Sequence, residues 1–226
     1  MKNLFFLFFA STALLFTTSC KKAAGDAAEV ADAAKVAVST GKTFPINTES
    51  SVVNWEGAKP TGTHVGTISL SSGEVTVDGN MIKGGSFVLD MNTITNTDLE
   101  GDMKAGLESH LKGTAAGKED HFFNVVKYPT GTFDITKVTK VDGDEAATHL
   151  IYGNLTLKGV TKEIGFKALV GIGKDRIEVS TPPFTIDRTQ WGVNYNSKTV
   201  FEGLGDKFVN DDIGLTIKLS AGKELM

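Results

Sequence analysis

Between Tyr152 and Phe166 the chain reads YGNLTLKGVTKEIGF, and no other fifteen residues constrain its fold as tightly. Leu155 and Leu157 alternate with Asn154, Thr156 and Lys158, which is the period of a strand with one buried face. Gly159 falls in a short turn, after which Ile164 and Phe166 resume the alternation against Glu163 and Lys167. The segment is predicted to be an antiparallel hairpin with an apolar face and a polar face.

Similar runs fill most of the chain. Strands are expected at Thr43–Asn47, Ser51–Gly57, Thr63–Leu70, Gly73–Asp78 and Met81–Met91. Others are expected at Gly131–Val141, Thr148–Lys158, Lys162–Val170, Arg176–Ile186 and Asp212–Leu219. Turn signals such as Asp78-Gly79-Asn80 and Asp142-Gly143-Asp144 separate them. Many short strands with close turns point to an all-β antiparallel barrel or sandwich. One segment departs from this pattern. Asp98–Lys112 sets Leu99, Met103, Leu107 and Leu111 at helical spacing, with its acidic residues towards the start, as an amphipathic helix requires. Such a helix would serve as a lid over a barrel mouth or simply plug its end.

The hairpin resembles the GxLTxKGVTK hairpin of the YceI-like family, and further motifs follow in order along the chain. They are Trp55, His64-Val65-Gly66, Gly84-Gly85-Ser86-Phe87 running to Asp90 and Ile94, and His110-Leu111. Then come Phe122-Phe123, Tyr128-Pro129-Thr130, Phe133, the hairpin itself, and Asp187-Arg188-Thr189-Gln190-Trp191-Gly192. Two features depart from the family pattern: the glycine-bearing insertion Gly113–Glu119, and His121 in place of an aspartate. Both fall in the expected mouth.

The resemblance implies an extended lipocalin-like antiparallel β-barrel over residues 43–222, with one helical segment near its mouth. It also implies a non-catalytic protein that sequesters or transports a polyisoprenoid or isoprenoid-quinone lipid, with no cofactor beyond that ligand. Inward-facing positions then nominate a pocket for the lipid tail: Phe87, Leu89, Met91, Leu155, Leu157, Ile164 and Phe166. The family motifs add Phe122, Phe123, Phe133 and Trp191. A phosphate headgroup needs cations or N–H donors at the mouth, and His64 and Arg188 are the candidates, with Asp187 as a competing structural partner for Arg188. Glycines at 84, 85, 153 and 165 lie in or beside strands, where they mark either bends or room for a ligand chain.

The N-terminus carries an export signal. Lys2 precedes an apolar run from Leu4 to Leu15, too short to span a bilayer comfortably, and small residues lead to Cys20. Cys20 is the sole cysteine, so it has no intrachain disulfide partner. A bacterial lipoprotein is the expectation: residues 1–19 as the signal peptide, Cys20 acylated, and an Ala-rich tether through residue 42. The protein would then be an exported, membrane-anchored lipoprotein facing the periplasm. Loss of Lys2 with the signal moves the net charge from −4 to −5, and no basic patch favours nucleic acid.

The search for other chemistry finds little. Gly84-Gly85-Ser86-Phe87-Val88 lacks the closing glycine of a nucleophile elbow, and there is no phosphate-binding loop or dinucleotide fingerprint. His110, His121, Glu119 and Asp120 cluster in sequence and offer the alternative reading, an envelope stress-related metal-binding or protein-interaction module on the same barrel. No compact metal-ligand spacing accompanies them, and no resident metal is expected.

Overall fold

The structure, a computed structural model, describes residues 23–222; the signal segment and Cys20 lie outside this range. Its first strands are β1 (Asp26–Ala27), β2 (Glu29–Asp32), β3 (Lys42–Pro45), β4 (Val52–Lys59), β5 (Gly62–Asp78), β6 (Met81–Asp90) and β7 (Thr95–Asn96). Helix α1 (Gly101–Lys112) follows, then β8 (Thr130–Lys140), β9 (His149–Leu157), β10 (Val160–Ile172), β11 (Arg176–Ser180), β12 (Phe184–Asp187) and β13 (Asp212–Gly222).

The predicted hairpin is β9–β10, paired antiparallel from Leu157↔Val160 to His149↔Ala168. Its turn consists of Lys158 and Gly159, with φ of 49° and 75°. Two successive left-handed residues match the right-handed twist of the flanking strands, and glycine takes that conformation without strain. From this hairpin the sheet continues on both sides until it meets itself. The ring runs β4-β5-β6-β8-β9-β10-β11-β13 and returns to β4 through the Ile213↔Gly57 to Lys218↔Val52 pairs. Every contact within the ring is antiparallel. The chain is a lipocalin-like β-barrel, as the strand pattern and the resemblance imply.

Three expectations change in detail. Thr63–Leu70 and Gly73–Asp78 form one long strand, β5, with a register shift between Leu70 and Ser72 that lets it bend from one partner to the next. Arg176–Ile186 is two strands, because Pro182 and Pro183 supply no N–H for a ladder. The helix begins at Gly101, not Asp98, since the Asp98 carboxylate accepts hydrogen bonds from Val65 N–H on β5 (2.8 Å) and from Asn96 Nδ2 (2.5 Å). Met103 is 69% exposed, so only the second half of the expected apolar face, at Leu107 and Leu111, looks inward.

The expected tether also differs where it is described. Residues 23–42 are neither free nor helical: they contribute β1, β2 and the start of β3, all hydrogen-bonded to the barrel.

The strand glycines make room for neighbouring side chains more than for bends. A Cβ on Gly153 would lie 2.3 Å from Cζ of Phe133, whose ring occupies that space. Gly153→Val therefore forces Phe133 off its position. We expect a loss of about 1–3 kcal/mol of stability in urea unfolding, the usual cost of overpacking a filled site.

Candidate functional site: an apolar cavity with a polar rim

Because side chains alternate across each strand, a closed eight-stranded ring directs half of its residues inward. Those residues enclose a cavity of about 430 Å³. Phe87 and Leu89 of β6 with Met91 just beyond it, Phe133 of β8, Leu155 and Leu157 of β9, and Ile164 and Phe166 of β10 all face it, as do Phe122 and Phe123. The interior reading of these residues from alternation and motif agrees with where the structure places them. Trp191 does not. It is fully buried beside the cavity, not on its wall, and its Nε1 donates to the Leu155 carbonyl at 2.9 Å. Its indole thus braces β9 from the adjoining 3-10 turn, Arg188–Trp191.

The same alternation marks wall residues that had not been nominated, among them Ile213, Leu215 and Ile217 on β13 and Phe184 and Ile186 on β12. Period-two spacing within their strands was the signal that could have found them. Trp55 also lines the wall. Its indole lies over Gly66, where an added Cβ would come within 2.4 Å of Cζ2. Its Nε1 is buried and has no hydrogen-bond partner.

At one end the lining turns polar. Lys59, His64, His110, Tyr195, Asn196 and Lys207 border the cavity there, and no Asp or Glu does so among the described residues. His64 is held by Asp98, with Nδ1 and Oδ2 2.9 Å apart. A carboxylate only accepts, so Nδ1 carries the hydrogen and Nε2 remains as the free ring nitrogen. Burial opposes ionisation of Asp98, but its bonds from Val65 N–H, His64 and Asn96 outweigh that and hold its carboxyl below the usual range.

Three separate segments meet over this rim. His110 of α1 and His121 of the following loop place Nε2 and Nδ1 2.8 Å apart. Tyr195, from the loop after β12, stacks on His121 with centroids 4.3 Å apart and meets His110 edge-on at 4.8 Å. Phe122 packs against both His110 and Tyr195. The insertion Gly113–Glu119 therefore returns the chain so that His121 can latch onto the helix. The two histidines come together, yet no group of three or more His, Cys, Asp or Glu able to hold a metal occurs among the described residues.

Arg188, expected to face a headgroup, does border the cavity beside Tyr195, but its donors are committed to backbone carbonyls. It is 3% exposed. Nε donates to the Asn210 carbonyl, Nη1 to Val193, and Nη2 to Tyr195 and Val209, with Asp211 at 3.5 Å. One guanidinium therefore gathers the loop that carries Tyr195. Its fork geometry suits several acceptors at once, which a lysine cannot match. Asp187, the partner anticipated for it, instead accepts from the Thr189 N–H and hydroxyl.

Taken together, a closed antiparallel wall, an apolar hollow and a polar rim define a hollow lipocalin-like barrel. Residues 44–221 match the model of the YceI-like domain, and the chain belongs to that family. Among curated relatives, a UPF0312 protein of Yersinia pestis is 36% identical over 100 residues, covering 40% of this chain and 47% of its own. A UPF0312 protein of Pseudomonas aeruginosa is 54% identical over 55 residues, 24% of this chain and 27% of its own. The chain spans about half or less of the length of these relatives. Among solved structures, Burkholderia cenocepacia BcnA superposes with a TM-score of 0.58 at 17% identity, covering 78% of this chain and 99% of that one. A polyisoprenoid binding domain from Saccharophagus degradans, implicated in plant cell wall breakdown, gives 0.57 at 18%, covering 80% and 98%.

Two outcomes follow from the rim. Arg188→Ala leaves four carbonyls and Asp211 without their shared donor, and should cost about 3–5 kcal/mol in urea unfolding, with Arg188→Lys recovering little. Burial, the Lys118 charge and His121 hold His110 below its ordinary value of 6.5, so the folded state favours the neutral ring. A histidine with a depressed folded value contributes stability that is complete above its unfolded pKa and is lost as pH falls through that value towards the folded one. Melting temperature should therefore drop between pH 7.5 and about 5, and His110→Gln should flatten that drop.

Proposed function

We propose that this protein is a non-catalytic carrier that sequesters a long isoprenoid lipid, a polyisoprenoid or isoprenoid quinone, in the bacterial envelope. The observation that carries the reading is the cavity: its body is lined by aliphatic and aromatic side chains, and lysine, arginine and histidine border it with no carboxylate among the described residues. A hydrocarbon tail makes no polar demand on such walls, and each Å² of apolar surface it buries is worth about 25 cal/mol. The cavity size also falls in the range of small-ligand sites, about 300–1,000 Å³.

The rim completes the ligand. Lys59, Lys207 and His64 suit an electron-rich or anionic head, with no carboxylate on the lining to repel it. The polyisoprenoid binding of the Saccharophagus domain agrees with this choice of tail. Export and anchoring through acylated Cys20, facing the periplasm, would place the carrier beside the membrane where such lipids reside.

Native mass spectrometry of the full-length protein, purified from bacterial membranes without strong detergent, tests the reading. An adduct whose fragments show a repeating isoprene unit is expected. A ligand-free mass that also refuses added polyprenyl phosphates and quinones would remove it. Leu155→Trp, which narrows the hollow, should weaken loading. Paired charge reversal at Lys59 and Lys207 should weaken polyprenyl phosphate by about tenfold, or 1.4 kcal/mol, while sparing a neutral prenol.

A further inference from the structure

The barrel ring hides a seam. Strand β10 pairs with β11 only over Leu169–Ile172, and β12 hydrogen-bonds to β13 on one side. Between the first half of β10 and β12 no direct pairing occurs among the described residues. The N-terminal segment fills that space. β1 pairs parallel with β12 at Asp26↔Phe184 and Ala27↔Thr185, and Ala28 N–H continues to the Thr185 carbonyl. β2 then pairs antiparallel with β10 from Glu29↔Gly165 to Asp32↔Lys162. Neighbouring strands lie about 4.8 Å apart, so removing this one leaves the β10 and β12 backbones separated by about 10 Å. Behind it, on the cavity side, Phe166 of β10 and Phe184 of β12 stack across the seam, centroids 4.7 Å apart and nearly parallel.

This inserted strand lies outside the family domain, which begins at residue 44. It is also held differently from the rest of the wall. Glu29, Val30, Ala31 and Asp32 are all exposed, and none of residues 23–41 lines the cavity. Its attachment is mainly polar: backbone ladder bonds, Tyr152 hydroxyl to Glu29, and Lys162 to Asp32. Beyond β2 the chain crosses the outside of the barrel. The Asn154 side chain, on β9, accepts from Ala34 N–H at 2.9 Å and donates to the Ala34 carbonyl at 2.7 Å. Ala37 N–H then donates to the Ile135 carbonyl, which sits where a register shift interrupts the β8–β9 ladder. Elements with exposed backbone bonds and little buried apolar surface open at a lower free energy than the global fold. Alanine-rich sequence adds little strand propensity of its own.

We propose that this N-terminal strand is a removable stave, latched by Asn154, and that its release opens a lateral gate through which the lipid tail passes. The inference rests on the lipid-carrier reading for the ligand, but the gate belongs to the wall itself. Opening of the stave exposes the Phe166–Phe184 pair, and parting of the two rings connects the cavity to the outside along its length. A long chain then enters sideways in one motion and need not thread end-on past the aromatic cluster at the rim.

The test uses the full chain with Cys20→Ser and a reversible lock, Ala31→Cys with Glu163→Cys, at positions that are direct antiparallel partners. Uptake of N-phenyl-1-naphthylamine is followed by stopped-flow fluorescence, alongside hydrogen exchange. In the unlocked protein, amides of residues 28–32 should exchange faster than those of the β4–β13 ladder. Oxidising the lock should slow dye uptake by roughly tenfold or more, about 1.4 kcal/mol on the opening barrier, with recovery on reduction. Asn154→Ala, which needs no disulfide, should speed uptake. Equal rates and amplitudes in locked, reduced and Asn154→Ala proteins would overturn the gate and leave lipid binding standing. A folded protein that takes up neither the dye nor added polyprenyl phosphates and quinones in any form would overturn both.

Discussion

The barrel closes through its backbone. Eight strands close the ring, and β1 and β2 answer the backbone groups that β10 and β12 leave open at the seam, so the wall does not need a filled interior to remain a wall. Side chains on the inner face are thereby released from part of their usual duty. They still bury one another, as at Ile177, but many, Val75 and Ile94 among them, stand around a hollow. Glycines permit large neighbours to lie flat against the wall: Trp55 over Gly66, and Phe133 over Gly153. Aromatic bulk is kept at the periphery of the cavity instead of filling its middle.

At the rim the problem is the reverse. Loops have no ladder to hold them, and the long segment after β12 is ordered by a buried charge. Arg188 satisfies carbonyls at Val193, Tyr195, Val209 and Asn210, which fixes Tyr195, and Tyr195 in turn stacks on the His110–His121 pair. Helix α1, the inserted loop and the post-β12 loop are thus joined by one chain of contacts. A guanidinium taken out of water is stable only when its donors are answered, and that requirement makes the loop conformation specific.

Much of the barrel was legible in the residues themselves. Alternation at Leu155, Leu157, Ile164 and Phe166 gave strand, face and hairpin together, because period two is a geometric property of any extended chain. The ordered motifs from Trp55 to Trp191 extended that reading to the whole domain. The failures lie where a residue's role depends on distant partners. Met103 keeps helical spacing yet points to solvent, since only the end of α1 overlies the barrel. Arg188 and Trp191 carry the chemistry of a headgroup contact and a pocket wall, but acceptors on remote segments claim both. Tyr195 and Lys207 sit in a loop with no periodic signal at all.

The sequence by itself determined the strands, their buried faces, the family and the apolar character of the interior, since these follow from local spacing and composition. Tertiary structure alone decided that the interior is hollow, that the two histidines meet, and that residues 26–27 and 29–32 pair as strands in the wall. Alanines and small polar residues carry no preference strong enough to announce a strand. The open edges of β10 and β12 supply the hydrogen bonds that make this segment one.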